Sequence, residues 1–170
     1  MGRTHISIHF DEGRARMARL EYRLDHSENG YPVLYYYEPI DAEEISTRMV
    51  CDYFVKGKRV YEKISCTAGR NQSVILVREA EEEEVLSSEI LQRPEWSGLR
   101  LEVREFREEA VYYPVVQTMH FSDADHLRTY LQSDAFDVNG RPWQKTSAEI
   151  DENRRVYVLY AIPISEGGSR

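Results

Sequence analysis

An internal repeat constrains the fold of this chain more strongly than any other feature of its sequence. Residues 31–77 align without a gap with residues 113–159 at a constant offset of 82, and 13 of the 47 aligned pairs are identical. A shorter match lies upstream, at an offset of 81, between Arg19-Leu20-Glu21-Tyr22-Arg23 and Arg100-Leu101-Glu102-Val103-Arg104. Self-similarity at a fixed spacing indicates duplication of one structural unit. The repeat therefore predicts two copies of that unit, packed as a pseudo-twofold pair.

Each copy contains one segment with the features of a helix. Asp41 is a suitable N-cap, and Glu44, three residues later, completes a capping box. An apolar stripe at helical spacing follows, formed by Ala42, Ile45, Met49 and Tyr53. The matching positions of the second copy hold Ala124, Leu127 and Leu131. The pattern predicts helices over residues 41–53 and 122–134.

Alternating and continuously apolar segments predict the strands. The last strand of each copy is continuously apolar, which is typical of a central strand buried on both faces. One further strand at the N-terminus follows from strict alternation of apolar and polar residues. The predicted strands span residues 4–10, 17–24, 31–38, 59–66, 73–79, 142–149 and 154–163.

The predicted fold class is α+β. A tandem duplication of a β-β-α-β-β unit forms a pseudo-twofold domain of antiparallel sheets, with an extra N-terminal strand. A unit of about sixty residues is small for a core of its own, so we expect the copies to pack as one globular domain. The predicted segments are the N-terminal strand with the first repeat (1–80), an acidic helical linker (81–98), the second repeat (99–164) and a disordered tail (165–170).

The charge balance bears on the class of partner. Lys and Arg number 22 against 30 Asp and Glu, which gives a net charge of -8. Binding to nucleic-acid phosphates needs cations that release counterions, so the composition argues against a nucleic-acid partner. Basic residues interleaved with aromatics in residues 56–61 and 141–145 favour the opposite interpretation. A third interpretation is an acidic protein that imitates nucleic acid and inhibits a DNA-binding partner.

Location and redox state follow from what the sequence lacks. No segment approaches the roughly 20 apolar residues of a membrane span, and the first residues lack a basic leader before an apolar core. We therefore expect no membrane association and a cytoplasmic location. The two cysteines, Cys51 and Cys66, form no CxxC pair, so no zinc knuckle or redox motif is predicted. No cofactor is predicted either.

The segment from His120 to His126 holds the densest group of potential metal ligands. Two imidazoles and two carboxylates within seven residues are a set that zinc or manganese accepts, and they belong to His120, Asp123, Asp125 and His126. The segment also lies at a predicted strand-to-helix junction, where Ser122 or Asp123 would cap the helix. The first copy keeps the acids and lacks the histidines, so capping explains the acids alone. A divalent-metal-dependent enzyme is one functional hypothesis.

Aromatic residues form a second candidate site. Tyr and Trp combine a large apolar face with one polar tip, which suits a ligand cleft as well as a core. We predict a groove between the repeats in which these aromatics contact a ligand and nearby Glu residues attract a cation. The predicted ligand-binding residues are Tyr35, Tyr37, Glu38, Tyr61 and Trp143. Packing of the same aromatics in a core is the alternative.

The element order carries one resemblance. Within each copy, the order strand, helix, strand, strand is similar to that of the tandem modules of gyrase-inhibitor-like effector-binding domains. This resemblance implies paired repeats that hold a small ligand in a cleft. The chain contains no Gly-rich phosphate loop, GxSxG elbow or HExxH motif. We interpret it as a non-catalytic binding or regulatory protein, a monomer or homodimer with a small-molecule or protein partner.

Overall fold

Two helices of the described chain pack on one face of a ten-stranded sheet. The structure is a computed structural model and describes residues 18–85 and 98–165. The strand predicted over residues 4–10 lies outside the described residues, as do residues 86–97 and 166–170. The class is mixed α+β, as the sequence predicts. Neither described helix has the length and apolar character needed to cross a membrane.

Each half of the described chain has the element order β-β-α-β-β-β. The first half contains β1 (Ala18–Leu24), β2 (Val33–Ile40), α1 (Ala42–Met49), β3 (Tyr53–Lys56), β4 (Arg59–Thr67) and β5 (Gln72–Glu79). The second contains β6 (Leu99–Glu105), β7 (Val115–Phe121), α2 (Ala124–Gln132), β8 (Ala135–Val138), β9 (Arg141–Asp151) and β10 (Val156–Pro163). A short 3-10 turn, Ser27–Asn29, precedes β2. The short strands β3 and β8 are additions to the predicted unit.

The strands form one mixed sheet. Its order is β2-β1-β5-β4-β3-β9-β10-β6-β7, and β8 pairs with β9 beside this path. The prediction of purely antiparallel sheets is wrong, because β1 pairs in parallel with β5, β6 with β10, and β3 with β9. The predicted two-sided burial holds for β10, which is buried from Val156 to Leu159. In β5 one face is buried and the other is half-buried.

Both helices begin where the sequence predicts and end earlier. Asp41 Oδ1 accepts a hydrogen bond from Glu44 N, and Asp123 Oδ1 accepts one from His126 N, both at 2.7 Å. The predicted extension of α1 to Tyr53 is wrong, because Tyr53 begins β3. At the helix ends, lysines of β4 and β9 donate to the carbonyls of Met49 and Leu131, each at 2.7 Å. Those bonds satisfy carbonyls that a helix end leaves without intrahelical partners.

The last hairpin differs between the halves by two residues. Thr67 pairs with Val74 in the first half, and Glu149 pairs with Val158 in the second. The first members of these pairs differ by 82 and the second members by 84, so Val74 and Val156 are not equivalent in the sheet. The gapless alignment is therefore wrong beyond this point. As a result β9 has 11 residues against 9 in β4, and its end also pairs with β3.

One hydrophobic core lies between the helices and the sheet. Ile45 of α1 and Leu127 of α2 belong to it, together with strand residues of both halves such as Leu101. Because side chains alternate along a strand, the neighbours of these core residues point to the opposite face. Buried charged residues such as Glu102 therefore lie on the sheet face opposite the two described helices.

The acidic segment after β5 is not helical where it is described. Glu79 is the last residue of β5, and residues 81–85 form a turn and an irregular stretch. The predicted linker helix is wrong for these residues. The rest of the predicted linker lies largely outside the described chain.

Candidate functional site

The structure brings three of the predicted aromatic residues into one cluster. The hydroxyls of Tyr35 and Tyr61 are 3.3 Å apart, and their rings meet edge to face. Lys56 Nζ donates to the Tyr37 hydroxyl at 3.0 Å and lies over the rings of Tyr35 and Tyr37, 4.8 and 4.9 Å from their centroids. Tyr61 is only 3% exposed. In this conformation the cluster is packed against itself and its neighbours.

The other two predicted binding residues lie elsewhere. Trp143 is 9% exposed and pairs across the sheet with Phe136 and Pro163, inside the core. Glu38 is exposed and accepts a hydrogen bond from Arg19 at 3.0 Å. The three cavities described below are lined by other residues.

The predicted metal ligands have local structural partners. Asp123 caps α2, and Asp125 forms an ion pair with Arg128. The His126 ring packs edge to face on Phe121, and His120 faces Arg100 across the β6–β7 ladder. Among the described residues, no group of three or more His, Cys, Asp or Glu side chains is arranged to hold a metal ion. Metal binding stays a prediction that elemental analysis of chelator-free protein would test.

The most distinctive chemistry lies in a cleft on the sheet face opposite the two described helices, where the two halves meet. Its volume is about 310 Å³. Val55 and Val60 line it from the first half, and Glu149, Asp151 and Tyr160 line it from the second. Residues 82–85 and 109–113 form its walls. The cleft therefore combines a strand floor with two loop segments.

A second, smaller compartment borders this cleft. Its volume is about 80 Å³, and it shares Val60, Glu83, Tyr113, Glu149 and Tyr160 with the larger one. The rest of its lining includes the aromatic residues Tyr53 and Phe106. The ring of Phe106 stacks on Tyr113 at 5.5 Å, and Tyr113 meets Tyr160 edge to face at 5.4 Å. The cleft thus has a charged part and an aromatic part.

Glu149 lies where the two compartments meet. It is 8% exposed, and its Oε1 accepts a hydrogen bond from the Tyr160 hydroxyl at 3.1 Å. Burial and the neighbouring charge of Asp151 raise the pKa of Glu149 to about 8, against the weaker opposing effects of Tyr160 and two arginines. A buried carboxyl with a strongly shifted pKa in a cleft is characteristic of functional sites.

A buried ion network supports the charged end of the cleft. Arg154 donates to Asp151 Oδ2 at 2.7 Å and to Glu102 at 2.9 Å, and Arg104 donates to Glu102 at 3.0 Å. Burial acts to raise the pKa of Glu102, but the two guanidinium groups outweigh it and hold that pKa below its ordinary value. Asp151 and Glu102 are therefore held in place by arginines, whereas the donor to Glu149 among the described residues is the neutral hydroxyl of Tyr160.

The charges around the larger compartment are mostly negative. Its described lining contains one arginine, Arg104, and six acids, namely Glu82, Glu83, Glu84, Glu109, Glu149 and Asp151. Walls of a single charge sign concentrate the field inside a cleft and raise the local concentration of the opposite charge. The cleft is therefore suited to a cation.

A further cavity lies between the helix N-termini. It has a volume of about 540 Å³, and the caps Asp41 and Asp123 line it with Arg48 and Glu152. Arg48 is 6% exposed, and it bonds Glu44 at 2.7 Å and Glu152 at 2.5 Å. Four acids of its described lining already serve as caps or as partners of Arg48, and the fifth, Glu43, is exposed. They are consequently less available to a ligand than Glu149.

The sequence contained a signal for Glu149 and Asp151. Both acids alternate with Ala148 and Ile150, which identifies a strand with an acidic face. The aligned positions of the first copy hold Thr67 and Gly69, so the acids belong to the second copy alone. Their burial could not be read from this pattern, since an acidic strand face is ordinarily exposed.

Comparison with known protein families, curated proteins and solved structures found no significant match to this chain. The resemblance in element order to gyrase-inhibitor-like effector-binding domains is thus not accompanied by a structural match.

Proposed function

We propose that this chain is a non-catalytic binding protein that holds a small organic cation in the cleft on the sheet face opposite the two described helices. The observation that carries the proposal is Glu149, a buried carboxyl that lines both compartments of an acidic, aromatic-walled cleft. An unpaired carboxylate is costly to bury, so a bound cation would stabilise its charged form. The Glu149 side chain would then supply both the negative charge that attracts the cation and part of the binding energy.

Aromatic rings favour the same class of ligand. Tyr112, Tyr113 and Tyr160 line the larger compartment, and Arg104 already lies 5.8 Å from the centroid of the Tyr112 ring. Ring faces attract cations, and the attraction increases when water is excluded. The combination of carboxylates and rings therefore favours an organic cation over a strongly hydrated metal ion.

The proposal extends to the architecture and the biological setting. In it, the halves derive from one duplicated unit and are related by a pseudo-twofold axis, and the cleft is the groove between them. The protein acts in the cytoplasm as a regulatory monomer or homodimer, and occupancy of the cleft alters its contact with a protein partner. The repeated caps of Asp41 and Asp123 and the repeated strand order support this interpretation.

The decisive experiment is an NMR titration of the whole chain with simple cations. Tetramethylammonium, guanidinium and butane-1,4-diammonium serve as probes, and butane-1,4-diol is the neutral control. We expect saturable shifts of amides in β9 and β10 for at least one cation and none for the diol. Absence of saturable shifts for every cation, or shifts centred on Tyr35 and Tyr61, would contradict the assignment of the cleft.

A matched pair of variants connects any binding to the cleft. Glu83→Gln removes an exposed acid from its wall, and Glu28→Gln removes an exposed acid from the distant 3-10 turn. The first should weaken cation binding several-fold and the second should leave it unchanged. Native mass spectrometry of protein purified without chelator supplies an independent check, because an organic adduct would appear as added mass.

A further inference from the structure

We infer that the preferred ligand of the cleft is a primary ammonium group on a short unbranched alkyl chain, with the ammonium at Glu149 and the chain in the smaller compartment. The inference rests on the proposed function, since it specifies the ligand of the same cleft. Two features support it, one for each end of the ligand.

The head group is specified by the hydrogen-bonding state of Glu149. The described residues supply one hydrogen bond to this carboxyl, from Tyr160 to Oε1, and none to Oε2. Because Glu149 is 8% exposed and lines both compartments, a donor placed there is close to fully withdrawn from water. A primary ammonium carries three N–H donors and a full charge. Glu83, which also lines both compartments, provides a second acidic neighbour.

The tail is specified by the size of the smaller compartment. Its volume of about 80 Å³ is close to half of the roughly 150 Å³ of an engineered cavity that accepts benzene. A single aromatic ring is therefore too large for it, whereas a chain of a few methylenes fits. Phe106, Tyr113 and Tyr53 supply apolar surface for such a chain. A short alkyl group meets the size and the polarity of this compartment together.

Binding of an ammonium ion to Glu149 has a proton signature. Burial and Asp151 raise the pKa of Glu149 to about 8, so at pH 7 this carboxyl is mostly protonated in the free protein. An alkylammonium, with a pKa near 10.4 as in lysine, favours the carboxylate and displaces that proton. The other titratable and charged groups around Glu149 are Asp151, Tyr160, Arg104, Glu102, Arg154, Tyr53 and Glu83.

Isothermal titration calorimetry of the whole chain tests the inference at pH 7. n-Butylammonium is the probe, with butan-1-ol, ammonium, benzylammonium and tetramethylammonium as comparisons. We expect n-butylammonium to bind at least tenfold more tightly than each of the others. Repeating the titration in buffers of different ionisation enthalpy should show release of close to one proton, and affinity should increase between pH 7 and pH 9.

Two variants locate the two ends of the ligand. Glu149→Gln should abolish the proton release and weaken n-butylammonium binding at least tenfold, whereas Glu28→Gln should change neither. Ser147 lines the smaller compartment, and Ser147→Val reduces the space there by placing a larger side chain in it. This variant should lose the preference for n-butylammonium over ammonium. The valine variant keeps the inference testable even if Glu149→Gln fails to fold.

The outcomes separate this inference from the proposed function. If benzylammonium or tetramethylammonium binds as tightly as n-butylammonium and depends on Glu149, the alkylammonium inference is wrong and the cation cleft stands. An n-butylammonium preference that survives in both variants also overturns the inference. If no cation binds, both proposals fall.

Discussion

The two halves contain the same Arg-Glu-Arg arrangement in very different surroundings. In β1, Glu21 forms ion pairs with Arg19 at 2.7 Å and Arg23 at 2.6 Å, and both arginine side chains are about one-third exposed, at 30% and 32%. Burial acts to raise the pKa of Glu21, and its bonds to Arg23 and Arg19 outweigh that effect. Glu21 itself is buried, so this cluster meets the solvent through its two arginines.

The equivalent cluster in β6 is buried. Glu102 bonds Arg104 at 3.0 Å, and its closest contact with Arg100 is longer, at 3.6 Å. The additional partner is Arg154, which comes from the turn between β9 and β10 and has a side chain only 4% exposed. The longer β9–β10 hairpin therefore gives Glu102 a buried arginine partner in addition to those of its own strand. A repeated motif specifies the pairing, and its neighbours decide the burial.

Removing Arg154 should produce the largest difference between the halves. Arg154→Ala leaves Asp151 and Glu102 buried without one cationic partner, and loss of one member of a buried pair costs about 3–5 kcal/mol. Arg23→Ala should cost less, because Arg23 is about one-third exposed and Arg19 still pairs with the buried Glu21. Urea unfolding of both variants provides the comparison. Equal losses would show that the two clusters are energetically alike.

The protonation of Glu149 should give the chain a pH dependence of stability to which the aligned Thr67 of the first half cannot contribute. Its pKa is raised from 4.5 to about 8 on folding, so between these values the native chain holds a proton that the unfolded chain has released. The free energy of unfolding then decreases with pH by up to about 1.4 kcal/mol per pH unit. The effect is complete above the folded pKa.

Glu149→Gln should remove that decrease. The stability of this variant relative to the unmodified chain should rise steadily from pH 5 to pH 8 and then level off, as measured by urea unfolding at several pH values. The control is Glu62→Gln. Glu62 lies in β4 on the same face of the sheet as Glu149 but is half-exposed, so this variant should show no such trend. A constant difference across the pH range would mean that Glu149 is charged in the native chain.

Asn153 provides a smaller test of how the longer hairpin is attached. Its Oδ1 accepts from Gly57 N and its Nδ2 donates to Gly57 O, both at 2.8 Å. Loss of two largely exposed hydrogen bonds in Asn153→Ala should cost about 1–2 kcal/mol. Asn29→Ala, in an exposed turn, should cost less. A neutral Asn153→Ala variant would show that the turn-to-turn contact does not stabilise the junction of the halves.

Removal of a helix cap should produce the smallest loss of stability, and the loss should be nearly the same in the two halves. Asp41→Ala and Asp123→Ala each remove a 2.7 Å cap bond, and each should cost about 1 kcal/mol. Thermal unfolding of the two variants would measure the losses. A large inequality would indicate that the helices, like the last hairpins, are not equivalent parts of the two halves.

Local features of the fold could be predicted well from the sequence. The helix starts at residues 42 and 124 follow from the side chains of Asp41 and Asp123, which bond backbone groups only three residues away. The strands predicted over residues 17–24, 31–38, 59–66, 73–79, 142–149 and 154–163 agree with the structure to within a few residues, since alternation is a property of neighbouring positions. The short strands β3 and β8 were not predicted. The early end of α1 was missed because Tyr53 fits the helical stripe, and its pairing with Glu62 is a contact with another strand.

The candidate site, like the fold, could be predicted from the sequence only where its features are local. Sequence reasoning directed attention to aromatics and acids and to the meeting of two copies, but it selected Tyr61 and Trp143, whose side chains lie in the core. Glu149 was missed, because its burial depends on Tyr160, on Asp151 and on residues 82–85, which are adjacent only after folding.

By itself, the sequence determined the α+β class, the helix caps and the internal match, since each depends on residue type and short spacing. The tertiary structure decided the strand order, the parallel pairing of β3 with β9 and the burial of Glu149. The physical reason is range: caps and alternation act over a few residues. The field and dielectric around a carboxyl depend on groups from distant segments, which the longer hairpin brings against it.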